Sequence, residues 1–437
     1  MTKLKGRFFT HDAVNEPYWW EAAKPTATLQ ADLPSRSEVV IVGGGFTGLN
    51  AALTLAKAGR QVTVLDAEAP GWGASSRNGG MLGPGWATFD TAMAYGADKA
   101  RAIVTESFQA LQHVTDVVDR EKIDCDLAIV GYFRGAVTPR AYDAMGAQLE
   151  RIRKVMPCDA HLVPRAQQHG EIGTDFYHGG LAIPGYAGLH PARYVAGLAQ
   201  AAERAGVTII GGIRVTAIER QAAGFRVLSA GRKQIDAKQV LLATNGYTGS
   251  LYPFLQRRII PIRSAIIATE PLPSAVMNQL MPKRRMLAGS QRVVTYFRPS
   301  PDGTRILFGG RVLKVTGEDV VETNAAHLRK QMLQVFPELA NAGISHYWHG
   351  QTGFTFDKLP HLGQHEGVYY ACGYNGTGIA RASWFGHKIA QQMLGIEDQP
   401  SAYADLPFRS RHLYYGKPWF LPLAVLYYEM RDRWDQR

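Results

Sequence analysis

The residues best suited to chemistry in this chain are glycines. Gly43, Gly45 and Gly48 form G-x-G-x-x-G directly after the β-branched run Val39–Val42. The first glycine permits a sharp turn, the second lets backbone approach a pyrophosphate, and the third lets a helix press on a strand. Phe46 and Thr47 stand inside the turn, opening a helix whose unpaired amides and dipole favour phosphate oxygens. Asp66, with Ala67 behind it, closes the next apolar run, where a carboxylate accepts hydrogen bonds from ribose hydroxyls. Strand, helix, strand and acid in register predict dinucleotide binding. A purely structural glycine turn would not need the acid.

Two later stretches are built the same way. Gly73-Ala74-Ser75-Ser76-Arg77-Asn78-Gly79-Gly80 concentrates small residues in one loop, which suits backbone lying against a flat or phosphorylated ligand. Tyr369–Cys372 reads as an apolar strand running into Gly373-Tyr374-Asn375-Gly376-Thr377-Gly378 and then a helix through Leu394. Other chemistry-bearing residues are scattered. His190 lies in the loop Gly180–Pro191, placed to accept a substrate proton or to bond nearby backbone. Tyr296 and Arg298 alternate with Phe297, so one strand face offers an aromatic wall and an anion contact, or an interdomain ion pair. Trp348, His349 and Gln351 precede Thr355–Pro360. The pairs His346/His349 and His361/His365 have helical ligand spacing but fall in a strand-like run and a poor helix, so no metal site is predicted. Cys372 reads as packing, and no nucleophile–base–acid triad is present.

Stepping outward to the elements that must hold these residues, 437 residues suffice for two or three domains. No apolar run is long enough to span a bilayer, and the N-terminus lacks a signal-peptide core. Three scattered cysteines imply neither a disulfide framework nor a zinc site, so a reducing cytoplasm is the expected compartment. The net charge of +11 comes from dispersed residues without long basic blocks, which argues for an anionic cofactor rather than nucleic acid. Helices are predicted over 91–122, 139–156, 192–205 and 325–336. An extended piece is expected at 127–133, and strands at 207–210, 215–220, 224–229, 234–237, 240–244, 292–298 and 305–309. Tyr18, Trp19 and Trp20 are expected to pin the N-terminal arm, and Trp419–Leu423 to pack into the core. The fold class is α/β with two domains: a discontinuous Rossmann-like nucleotide domain (1–90, 165–250, 346–437) and a substrate domain on an antiparallel sheet (91–164, 251–345).

Four motifs in order, Gly43–Asp66, GASSRNGG, the strand end LLATNGYTG and GYNGTGIA, resemble the D-amino-acid-oxidase-like FAD-dependent amine and amino-acid oxidoreductases. The Tyr18–Trp20 cluster, Ile123–Asp126, His190-Pro191, TYFRPSPDGTRILFGG and Leu426–Arg433 resemble the branch acting on γ-glutamylputrescine-like amines. The resemblance implies FAD, with Gly43, Gly45 and Gly48 at the pyrophosphate, Asp66 at the ribose and the Val215 backbone at the adenine. Ala243, Thr244 and Asn245 would flank the adenosine half. Ser75, Ser76, Arg77, Asn78, Gly79 and Gly80 would line the ribityl chain and flavin ring, and Gly373, Gly376, Thr377 and Gly378 would face its carbonyl edge. Read from the residues themselves, Tyr296 and His190 are the catalytic candidates, and Arg298, His349, Gln351 and Tyr374 the candidate substrate contacts.

Some relatives attach FAD through a histidine where this chain has Ser76-Arg77-Asn78, so non-covalent flavin is expected. The sarcosine-oxidase branch carries a carboxylate-binding lysine where this chain has Ala380, which favours an amine whose anionic group lies further off. The implied reaction oxidises an amine to an imine that hydrolyses to an aldehyde, with O₂ as acceptor giving H₂O₂. The alternatives are a dehydrogenase of a secondary or cyclic amino acid serving a quinone or carrier, a nicotinamide enzyme, and a flavin-binding module without turnover.

Overall fold

The apolar run before the first glycine turn is strand Arg36–Val42, the centre of a mixed sheet. On one side it pairs in parallel with Val62–Leu65, which pairs with Thr208–Ile210. On the other it pairs in parallel with Gln234–Leu242, and the sheet continues antiparallel through Gly224–Ser229 to Val215–Gln221. Val368–Cys372 also joins Gln234–Leu242 in parallel and pairs with His361–His365. Val39, Ile41, Val62 and Val64 pack under helices Phe46–Lys57, Ala97–Glu121, Pro191–Arg204 and Gly378–Met393, while Val40, Val42 and Leu242 face a second core. Burial on both faces is why these strands read as unbroken apolar runs. The computed structural model describes residues 3–26, 33–83, 85–231, 233–317, 319–396 and 400–435.

A second sheet of nine strands runs Phe9–Val14, Ile344–Phe354, Ile260–Thr269, Ile306–Arg311, Tyr296–Pro299, Met286–Gly289, Tyr132–Gly135, Gly180–Ile183, His161–Val163. Side-chain alternation divides its faces. Ala265, Ile267, Phe297, Phe308 and Tyr347 pack beneath helix Val320–Val335. Ile266, Ala268, Leu307 and Trp348 pack with Trp19 on the opposite face, toward the glycine loops. A small sheet joining Met81–Leu82 and Ala128–Ile129 through Ala187–Gly188 lies between the large ones.

Several expectations need correction. The loop 180–191 contains two strands, and Gly180–Ile183 belongs to the nine-stranded sheet. So do Phe9–Val14 and Ile344–Phe354, although the sequence division put 1–90 and 346–437 with the nucleotide sheet. The extended piece 127–133 breaks at Gly131, whose φ of +77° ends one strand before the next begins. The strands expected at 234–237 and 240–244 are one, Gln234–Leu242, and 292–298 pairs only from Tyr296. The helix expected over 91–122 starts at Ala97, after a series of short turns.

Trp419–Leu423 is not core. Pro422 falls in the first turn of helix Leu421–Asp435, where proline is tolerated, so the segment starts an outlying helix instead of folding inward. That helix is tied to the body by Asp432, which accepts from Arg292 Nη1 at 3.0 Å. Leu423, Leu426, Tyr427, Met430 and Trp434 follow helical spacing down one side and are 53–78% exposed. Among the described residues no helix is long and apolar enough to cross a membrane.

Two half-buried imidazoles lock three helices of the nucleotide layer. His113 and His387 stack at 4.9 Å; His113 Nε2 meets Asn50 Oδ1 and His387 Nδ1 meets Thr54 Oγ1, both at 3.1 Å. Burial pushes His113 down to about 3 and His387 down to about 4. Above the ordinary histidine value, near pH 6.5, both are neutral folded and unfolded, and this contribution is fully present. As the pH falls through 6.5 toward 4, only the unfolded chain takes up the protons, so stability falls with pH. The expected loss is about 2 kcal/mol per histidine at pH 5. Urea unfolding at pH 7 and pH 5 measures it. His387→Gln should flatten the slope, and a slope unchanged by that variant would refute the assignment.

Candidate functional site

The carboxyl ends of strands Arg36–Val42, Val62–Leu65, Gln234–Leu242 and Val368–Cys372 lie along one edge of the nucleotide sheet, where open α/β sheets bind ligands. Gly43 leaves the first strand with φ +110°, and a Cβ there would lie 2.9 Å from Ala243 O. A Cβ on Gly48 would lie 1.9 Å from Gly43 O, so the helix is pressed on the turn as closely as backbone allows. Gly45 faces Ser75 Oγ, which accepts from Phe46 N at 3.0 Å and ties the first turn to the second glycine loop. Asp66 Oδ2 accepts from Gly44 N at 2.7 Å and Oδ1 from Glu68 N at 3.0 Å; burial nevertheless raises its pKa. Asp66 O accepts from Ile213 N at 2.8 Å, which brings the chain toward Val215 alongside.

The second loop is braced from within. Asn78 donates to Ala74 O and Ser75 O and accepts from Gly80 N. The Arg77 guanidinium stacks between Trp72 at 4.1 Å and Trp20 at 4.5 Å, donating to Trp72 O and His349 O; burial lowers its pKa. Trp19 Nε1 and Trp348 Nε1 donate to Asn78 O and Arg77 O, each at 2.8 Å, and Trp20 Nε1 donates to Ser76 Oγ at 2.9 Å. The early aromatics therefore pin the arm to this loop, as expected. Gly73 packs on Tyr247.

The third turn is stitched to the others. Asn245, at φ +44°, accepts from Gly373 N at 2.9 Å, while Thr244 Oγ1 meets Thr248 Oγ1 at 2.7 Å. Gly373 and Gly376 adopt φ of +79° and +86°, and helix Gly378–Met393 follows with Thr377 as its cap residue. Three turns, separated by some three hundred residues of chain, thus converge on one edge. Their small residues leave backbone amides, one carboxylate and hydroxyls facing it, a donor set that fits a long diphosphate-bridged cofactor.

The scattered polar residues fare differently. Tyr296 lies against Gly79 and Gly309, its hydroxyl 3.1 Å from Ser264 Oγ, so its ring does face the second glycine loop. Arg298, expected at the substrate, is 4% exposed and donates to Gly80 O, Leu189 O and Pro299 O. It clamps backbone. His190 caps helix Pro191–Arg204: its Nδ1 accepts from Arg193 N, its ring stands edge-on to Trp19, and burial lowers it to about 4. A neutral ring with one nitrogen committed to a cap has a structural task. Tyr374 is buried with its hydroxyl 2.6 Å from Thr47 Oγ1, linking first and third turns inside the core. His349 and Gln351 alternate with Trp348 and Gly350 and so share the Tyr347 side of the strand; Gln351 Nε2 donates to Gly246 O. Strand alternation was visible in the sequence and separates these two residues from Trp348. Tyr247, which contacts the second loop at Gly73, was not singled out.

Residues 38–392 match the family model described as FAD dependent oxidoreductase. The chain belongs to that family. Among its relatives, a probable oxidoreductase, OrdL, of Rhizobium meliloti is 31% identical over 95% of this chain and 97% of that protein. The gamma-glutamylputrescine oxidoreductase of Escherichia coli is 29% identical over 91% of this chain and 93% of its own. The glycine oxidase structure of Geobacillus kaustophilus superposes with a TM-score of 0.70 at 20% identity, covering 87% of this chain and 99% of that one. The cofactor of this FAD-dependent oxidoreductase is FAD.

Proposed function

We propose that the enzyme oxidises a primary amine of the γ-glutamylputrescine type, with O₂ as electron acceptor and FAD held without a covalent bond. The convergence of three glycine turns on one sheet edge, beneath the Tyr296 face of the second sheet, carries this reading. The length-wide similarity to a gamma-glutamylputrescine oxidoreductase supports the substrate class. Gly43, Gly45, Phe46, Thr47 and Gly48 hold the diphosphate; Asp66, Ala67, Val215, Ala243, Thr244 and Asn245 the adenosine half. Gly73, Ser75–Gly80, Gly373 and Gly376–Gly378 hold the flavin half. FAD supplies a two-electron acceptor. The protein's share is to orient the amine's α-C–H bond, exclude bulk water and present an aromatic wall at Tyr296. The amine loses two electrons and two protons to become an imine, which water converts to an aldehyde and ammonia. The two electrons reduce O₂ to H₂O₂.

Anaerobic bleaching of the yellow protein by γ-glutamylputrescine, followed by peroxide release on admitting air, is the expected result. No bleaching by any of a broad panel of amines and amino acids would overturn the reading. The exposed apolar side of helix Leu421–Asp435 favours one alternative, a dehydrogenase serving a membrane quinone. Bleaching with turnover only on added quinone, and no peroxide, distinguishes it. Colour that stays with acid-precipitated protein would refute non-covalent attachment.

A further inference from the structure

Just beyond the second glycine loop lies a group of cations and aromatics, one of which, Arg381, also reaches the third turn at Thr377. Tyr132 and Tyr186 stack with ring centroids 4.5 Å apart and planes 22° from parallel. Arg134 stands two residues along the same strand as Tyr132, hence on the same face, opposite Phe133 of the helix-covered core. Met81-Leu82-Gly83 continues the chain from the loop, and a Cβ on Gly83 would lie 2.0 Å from the Tyr186 ring. A Cβ on Gly85 would lie 1.9 Å from Arg381 Nη2, so this segment lies directly on both side chains. Arg134 and Arg381 both act electrostatically on the Tyr186 hydroxyl.

The charges are unbalanced. Arg381 is 4% exposed, yet among the described residues its guanidinium donates only to hydroxyls, Thr377 Oγ1 at 2.7 Å and Thr88 Oγ1 at 3.1 Å. Half-buried Arg134 makes no hydrogen bond or ion pair among the described residues. Trp86 Nε1, in the same segment as Gly85, is a buried donor without an acceptor among the described residues. Buried cations are ordinarily paired, and guanidinium groups recognise carboxylates through paired N–H donors. We infer that Arg134, with Arg381 and the Tyr132–Tyr186 pair, receives a carboxylate carried on the substrate at the end remote from the reacting amine. The inference rests on the amine-oxidising reading above and supplies that reading with its specificity: the aromatic pair covers the aliphatic chain, and the arginines fix the charge.

The test compares γ-glutamylputrescine with N-acetylputrescine, whose cap carries no charge, in the FAD-loaded enzyme and in Arg134→Gln. The wild type should prefer the carboxylated amine. In Arg134→Gln the ratio of kcat/KM between the two should fall about 10- to 100-fold, mostly through KM, with partial recovery in Arg134→Lys. Glutarate, which cannot be oxidised, should perturb the wild-type flavin spectrum with a Kd that weakens similarly in the variant. Equal losses on both amines, or a glutarate Kd unchanged by Arg134→Gln, would overturn the inference. The two readings fail separately. If no amine bleaches the wild type, the proposed reaction falls, while glutarate binding still decides the carboxylate site.

Discussion

Gly48→Ala is expected to yield protein that retains little flavin. The added methyl would sit 1.9 Å from Gly43 O and 3.2 Å from Ile41 Cγ2, the first a backbone atom that no rotamer can move aside. Relief requires helix Phe46–Lys57 to back away from strand Arg36–Val42. Phe46 N then leaves Ser75 Oγ, and the turn leaves the position in which the proposed binding mode sets it against the diphosphate. Overpacking of this kind costs about 1–3 kcal/mol, and more where backbone is the obstacle. Because the distortion falls where the cofactor's charge is densest, FAD affinity should drop by more than about tenfold, the equivalent of ~1.4 kcal/mol. Gly59→Ala is the control: its φ is +81° but nothing lies within 4 Å, so it should lose only the about 1–2 kcal/mol of left-handed strain and keep its colour. Flavin stoichiometry after gel filtration measures both. Wild-type flavin content in Gly48→Ala would show that the first turn has slack the structure does not display.

The second large effect is expected at Arg298. Arg298→Met should lower Tm and speed flavin loss, with activity falling alike for every amine. The guanidinium is buried, held down to about 10 by desolvation, and donates to three carbonyls, one of them Gly80 O. Methionine fills much of the volume but leaves those carbonyls without donors, at about 1–3 kcal/mol for each that stays dry. Gly80 has φ +67° with Leu189 O closely opposed, so the loop is held by this clamp rather than by slack contacts. Unchanged Tm combined with a loss confined to carboxylated amines would instead make Arg298 a substrate anchor. That outcome would return the anion site to the strand Tyr296–Pro299.

What could be read from the sequence follows the range of the interactions. The Gly43–Asp66 unit was legible because turn, helix packing and carboxylate are encoded within one contiguous stretch, each by a residue type with few other uses. The two further glycine loops were legible for the same reason. The protein partners of Arg298, His190 and Tyr374 were not legible, because a polar side chain among small residues looks the same whether it serves a ligand or a neighbouring group of the chain. Only the carbonyls around Arg298 and the cap on helix Pro191–Arg204 decide between those uses. The Tyr132–Tyr186 stack and Arg381 could not be assembled at all, since nothing local links strand Tyr132–Gly135, the turn before Ala187 and helix Gly378–Met393.

Helix Gly378–Met393 packs so closely on helix Phe46–Lys57 that a Cβ on Gly386 would lie 2.2 Å from Thr47 O. On the ribosome, helix Phe46–Lys57 emerges long before helix Gly378–Met393, and its Thr47, Asn50 and Thr54 side has no mate until nearly the whole chain has been made. The nucleotide layer therefore cannot be completed as an early N-terminal unit. Closing a contact over more than three hundred residues makes assembly slow and leaves an apolar helix uncovered in the interim. Acquisition of yellow colour becomes a signal that synthesis has reached the last third. Chains arrested before it should be substrates for chaperones or proteases rather than reservoirs of apoenzyme.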